Sequence, residues 1–132
     1  MKVFFDHNMS PKIARALAEL FRGEHEIVAL KDKFENTIAD EDWIGRLSQD
    51  DRWVVISGDR RITKNKVEYN AFRSSRLIGF FLSPGLQKVG VVKQLERILA
   101  QWSNIEKQVS LVRGSAMFEL SMKGTIFRQI KH

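Results

Sequence analysis

No cysteine occurs in the 132 residues, which excludes disulfides, thiolate catalysis and zinc sites built on cysteine. Histidine is scarce: His7, His25 and His132 are the whole set, none has a partner at metal-ligand spacing, and a histidine-rich zinc centre is not expected. No apolar run approaches the roughly 18 residues that a bilayer span requires, and the N-terminus lacks a long apolar signal segment with a small-residue cleavage site. A cytoplasmic location with no membrane partner is therefore the expectation. Internal repeats, low-complexity tracts and linkers are also missing, so the chain reads as one domain over 1–132.

What is present is ordinary globular material. Hydrophobic residues at 43% and charged residues at 29% argue against disorder and for one core, with about two-thirds of the unfolded surface buried on folding. The formal charge of +6 favours polyanionic partners without proving one. The acids are unevenly placed. Many lie between Asp32 and Asp59, whereas Arg60, Arg61, Lys64, Lys66, Arg73 and Arg76 follow with Glu68 as the one acid among them. A mixed-sign region of this kind can hold a cation and a phosphate chain together.

The patterning alternates strand with helix. "KVFF" at 2–5 is a short apolar strand ending at Asp6, and Ser10-Pro11 gives a helix start followed by Ile13, Ala14, Leu17, Leu20 and Phe21 at helical spacing. "HEIVAL" at 25–30 is the second strand. A helix over 37–49 carries Trp43, Ile44 and Leu47, with Thr37 and Asp40 spaced as a capping box. "RWVVIS" at 52–57 is a third, continuously apolar strand, as expected when both faces are covered. A thin apolar stripe predicts a helix over 63–74, "LIGFFL" at 77–82 a fourth strand, and Val91 to Trp102 a strongly amphipathic helix ending near Asn104. "VSLV" and "AMFELSM", around "RGS", predict a C-terminal β-hairpin. The whole is an α/β fold with a mainly parallel sheet and helices on both faces, its core over 1–105 and its last strands within 106–132.

In such a sheet the binding crevice lies beyond the carboxyl ends of the strands. Asp6 and Asp59 follow two of those ends, and Asp40, Glu41 and Asp42 open a helix on the same rim. Converging carboxylates repel one another unless a cation compensates, and Mg²⁺ or Mn²⁺ suits oxygen donors and substrate phosphate alike. Asp40 is preferred among the helical acids, with Asp42 close behind, since periodicity does not separate them. Each acid has a competing structural duty: Asp6 as a loop cap, Asp40 in the capping box, Asp59 as a turn acid after Gly58. Their joint placement at one edge raises the site reading. Ser57 and Asn8 are placed to orient a carboxylate or bind phosphate, and Arg60, Arg61 and Lys64 to hold a phosphate backbone. His7 is set aside because neighbouring strand residues point to opposite faces. Trp43, Trp53 and Trp102 fall at core positions, so packing is favoured over base stacking.

Asp6 in "FFDHNMSP", the acids in "TIADEDWI" and Asp59 in "VVISGDRRI" resemble the acidic motifs of the PIN-like nuclease superfamily, especially its compact branch related to VapC-type toxins. Motif similarity covers roughly residues 2–82 and is topological beyond. The resemblance implies a three-layer α/β/α Rossmann-like fold and a Mg²⁺- or Mn²⁺-dependent ribonuclease, with RNA as substrate and often an antitoxin as cognate partner. It makes Asp6 the first metal-binding acid, Asp40 the helical one with Asp42 as substitute, and Asp59 the acid after the third strand. Many PIN nucleases carry a further acid near the last; Arg60 and Arg61 stand here instead. A second copy of the chain is a further partner to consider. Two other readings compete: a receiver-like phospho-acceptor domain, which also places acids at strand ends, and a catalytically degenerate RNA-binding protein on the same fold.

Overall fold

A computed structural model describes residues 1–58 and 60–131. The first strand, β1 (Lys2–Phe5), leads through a tight turn into α1 (Pro11–Leu20). Ser10 Oγ accepts the Lys12 amide at 3.3 Å, so the serine–proline start works as its chemistry predicts. Then follow β2 (Glu26–Ala29), the short α2 (Leu30–Lys33), α3 (Asp40–Asp50), β3 (Val54–Ser57), α4 (Arg61–Lys64) and α5 (Lys66–Arg73). The chain continues through β4 (Ile78–Leu82), α6 (Pro84–Gln87), α7 (Val91–Ala100), α8 (Trp102–Leu111), β5 (Ala116–Leu120) and β6 (Arg128–Gln129).

The six strands form one sheet in the order β2-β1-β3-β4-β5-β6, parallel throughout except for the last pair. Strand alternation divides the core in two. Val3, Phe5, Val54, Ile56, Ile78 and Phe80 pack with Ile13 and Leu17 of α1 and with Ile98, Trp102 and Ile105 of α7 and α8. On the opposite face Phe4, Val55 and Phe81 meet Trp43, Ile44 and Leu47 of α3 and Phe72 of α5. The fold is thus α/β/α in three layers, and all three tryptophans are core residues.

Several elements differ from the sequence reading. Helix α3 begins at Asp40 behind Ala39, which has no side chain to cap it, so the Thr37–Asp40 capping box does not form. Residues 35–38 instead form a turn closed by the Ile38 amide on the Glu35 carbonyl at 3.0 Å, and Ile38 packs against the core from that turn. The helix read over 63–74 is two helices divided at Asn65, whose side chain accepts the Val67 and Glu68 amides and starts α5 afresh. The amphipathic stretch from Val91 is likewise two helices meeting at Gln101. "VSLV" belongs to the end of α8 because Val109 extends the Trp102–Ile105 stripe at helical spacing. The C-terminal hairpin exists, but it joins β5 to β6, with Phe118 opposite Gln129 and Glu119 opposite Arg128.

The connections leaving β1 and β3 run to opposite sides: β2 lies on one side of β1, and β3 lies on the other. The β1/β3 border is therefore the topological switch point, where the two carboxyl ends open a crevice. Phe5 pairs with Ile56 there.

Candidate active site

Beyond that pair the chain places Asp6 on one strand end and Ser57 on the other. Asp6 is only 2% exposed. Its carboxylate accepts the Ser57 hydroxyl at 2.6 Å through Oδ2 and the Asn8 amide at 3.1 Å through Oδ1. Burial pushes its pKa up to about 6; the donors from Ser57 and Asn8 and the nearby His7 oppose the rise, and the charge of Asp40 adds to it. The charge of Asp40 is thus felt at Asp6, and His7, the next residue in the chain, lies with Nδ1 4.0 Å from Asp40 Oδ1.

Asp40 stands in the first turn of α3, where its Oδ1 accepts the Trp43 indole N–H at 2.9 Å. The tryptophan is wholly buried and fixes the acid from below. Together with His7, Arg61, Lys64, Asn65 and Glu68, Asp40 lines a cleft of about 460 Å³. Of the three helical acids it is the one in that lining. Asp42 is exposed outside the cleft lining, and Glu41 acts on Glu68 through its charge.

The two loops at the switch point are fitted to each other. A Cβ on Gly58 would lie 2.6 Å from the Asn8 carbonyl oxygen, closer than any side chain tolerates. Asn8 Oδ1 accepts from the Arg61 guanidinium at 3.1 Å, tying the start of α4 to the turn after β1. Arg61 and Lys64 are exposed cations on the cleft wall. Ser57 is fully buried, and its hydroxyl donates to Asp6. Arg60 turns elsewhere, forming an ion pair with Glu119 of β5. Asp59, expected as the third metal-binding acid, lies outside the described residues.

Two cleft residues escaped the sequence reading. His7 sits in a turn, where strand alternation no longer applies, and its Nδ1 is 4.0 Å from Asp40 Oδ1. Glu68, half-buried on α5, has its pKa raised, first by burial and next by Asp40. The available signal was its isolation among cations, but its place three residues after Asn65 also suits a helix start, and its amide does bond Asn65.

Among the described residues no three acidic or histidine side chains are gathered as a metal-holding group. The donor chemistry nevertheless fits a hard divalent cation. Asp6 and Asp40 offer carboxylate oxygens, and Asp6, buried and repelled by its neighbour, is a group whose ionised form a cation would stabilise.

A family model described as a PIN-like domain matches residues 1–84, from β1 into α6. No curated protein and no solved structure matches the chain.

Proposed function

Because the chain belongs to the PIN-like domain family, whose members are usually nucleases, we propose that it hydrolyses RNA phosphodiester bonds with the help of Mg²⁺ or Mn²⁺. The observation that carries this reading is that Asp40, whose charge acts on the buried strand-end acid Asp6, lines a cleft whose wall also bears Arg61 and Lys64. Asp6, Asp40 and Asp59 would hold the ion, with Asp42 as the substitute helical acid. The ion, once bound, polarises the scissile phosphate and makes attack by water easier at neutral pH.

The protein's own groups divide the remaining work. Ser57 and the Asn8 amide fix both oxygens of Asp6, so its carboxylate is oriented before any ligand arrives. Trp43 does the same for Asp40. Arg61 and Lys64 grip phosphates flanking the cleaved bond, which gives affinity without reading sequence. Asn8 holds Arg61 toward the cleft. Glu68 adds negative charge to the same lining, within electrostatic reach of both Asp40 and Arg61. By its resemblance to VapC-type proteins we extend the reading to the toxin of a toxin–antitoxin pair; a small neighbouring gene whose product suppresses the activity supports that extension, and a product without effect removes it.

The test is incubation of the purified protein with labelled single-stranded RNA and Mg²⁺ or Mn²⁺, beside Asp6→Asn, Asp40→Asn and Asp59→Asn made identically. Cleavage that is lost in all three and in chelator supports the reading. Equal degradation by wild type and variants assigns the activity to a contaminant and overturns it. Metal-independent RNA binding with no cleavage favours the degenerate RNA-binding protein, and phosphorylation of Asp59 by a small phosphodonor favours the receiver.

A further inference from the structure

Resting on that nuclease reading, we propose that Glu119 is a positioning residue: through Arg60 it clamps the start of α4 to the C-terminal strands and so sets how Arg61 and Lys64 meet substrate phosphate. Glu119 lies beyond the part of the chain matched by the family model, so the clamp is supplied by the chain's own last third.

The strand β5 reads Ala-Met-Phe-Glu-Leu and every residue in it is buried. A carboxylate in such a strand requires ionic or hydrogen-bonded partners, because desolvating the charge alone is strongly unfavourable. Glu119 has two. Arg128, directly opposite on β6, donates to Oε1 at 3.1 Å, and Arg60 donates to Oε2. The partners are not equivalent. The Arg128 side chain is 77% exposed and that of Arg60 28%, so water and salt screen the Arg60 pair much less.

Arg60 is in turn the anchor of α4. Its carbonyl accepts both the Thr63 amide at 3.0 Å and the Thr63 hydroxyl at 2.6 Å. Helix α4 is only four residues long and buries only Ile62 and Thr63, too little to orient itself. Its direction is therefore set largely at its ends, by Arg60 before it and the Asn65 cap of α5 after it, with the Asn8–Arg61 bond as a further tie to the turn after β1. Between those ends stand Arg61 and Lys64. Asp6 is held by the Asn8 amide and by Ser57 of β3, and Asp40 by Trp43 of α3, none of them through Arg60. Loss of the clamp thus disturbs the grip on phosphate and leaves those two acids in place.

The experiment compares full-length wild type, Glu119→Gln, Arg60→Gln, the double variant and Arg128→Gln by amide hydrogen exchange and by steady-state cleavage of single-stranded RNA. Exchange at residues 61–64 should quicken at least about tenfold in the first three variants with β1 and α1 unchanged, a local opening rather than global unfolding. KM should rise about fivefold to tenfold with kcat within about twofold, equally in both single variants and the double, because one clamp is lost only once. Arg128→Gln should alter neither readout. Additive effects of the two single variants would show Arg60 acting on substrate independently of Glu119, and equal behaviour of Glu119→Gln and Arg128→Gln would show no clamp; either overturns the proposal. A fall in protection over the whole sheet, with kcat and KM unchanged in the folded fraction, reduces Glu119 to a packing role and also overturns it. Should the wild type cut no RNA, the nuclease reading fails, and the exchange comparison alone decides whether the clamp exists.

Discussion

A carboxylate as deeply buried as Asp6 stays ionised only with help from its neighbours, and its pKa of about 6 shows that Ser57, Asn8 and His7 do not fully offset burial. Because this value lies above the ordinary 3.8 of the unfolded chain, the folded state binds the extra proton between the two. The associated stability is complete below about pH 4, is lost as pH rises through about 6, and then levels off, a change on the order of 3 kcal/mol. Urea titrations in chelator should show this decline, and Asp6→Asn should flatten it while lowering RNA cleavage at least about a hundredfold. An equally steep decline in the variant would assign it to other groups. At this scale the acids before a turn or helix start, Asp6 and Asp40, were legible because an acid interrupts an apolar pattern there. The partner of Arg60 was not: Glu119 is 59 positions away, and only the pairing of β4 with β5 brings its strand into the sheet.

The two bonds from tryptophan to aspartate show how an element can hold a site. Trp43 donates to Asp40 at 2.9 Å and Trp53 to Asp50 at 2.8 Å, each reaching back three residues from a fully buried ring. Only the first aspartate lines the cleft. Replacement of either tryptophan by Phe should reduce stability by about 1–3 kcal/mol, from a lost donor and a small cavity. Trp43→Phe alone should also weaken cleavage, because Asp40 is then free to rotate; equal activity in the two variants would show that the indole does not orient it. Gly58→Ala tests the junction of the two loops. Its methyl would press on the Asn8 backbone, displacing the amide that bonds Asp6, with a stability loss of about 1–3 kcal/mol and reduced cleavage. Wild-type values in both assays would show that the loops yield freely. Strands and their order along the chain were legible from short apolar runs. Helix breaks at Asn65 and Gln101 were not: the thin stripe of Val67 and Ala71 marks no boundary at the first, the stripe of Ile98, Trp102 and Ile105 continues across the second, and the two-residue β6 carries too little pattern to be recognised.

For the molecule as a whole, the sign of the charge was legible and its distribution was not. A formal charge of +6 attracts any polyanion, but the fold places Arg61 and Lys64 on the cleft wall and Lys93 and Lys107 on α7 and α8, which pack against the other face of the sheet. Two double variants separate net charge from placement, since Arg61→Gln with Lys64→Gln and Lys93→Gln with Lys107→Gln each lower the formal charge from +6 to +4. If RNA is gripped at the cleft, the first pair removes two phosphate contacts and should reduce the slope of log affinity against log salt by about 1.4, at roughly 0.7 per phosphate on a single strand. The second pair should leave the slope unchanged and lower affinity only slightly, through weaker long-range attraction. Binding is measured with catalysis blocked by Asp6→Asn, so that affinity and turnover are not confounded. Matching slopes for the two double variants would mean that RNA is attracted by the protein's overall charge and that the cations beside Asp40 have no special part in holding it.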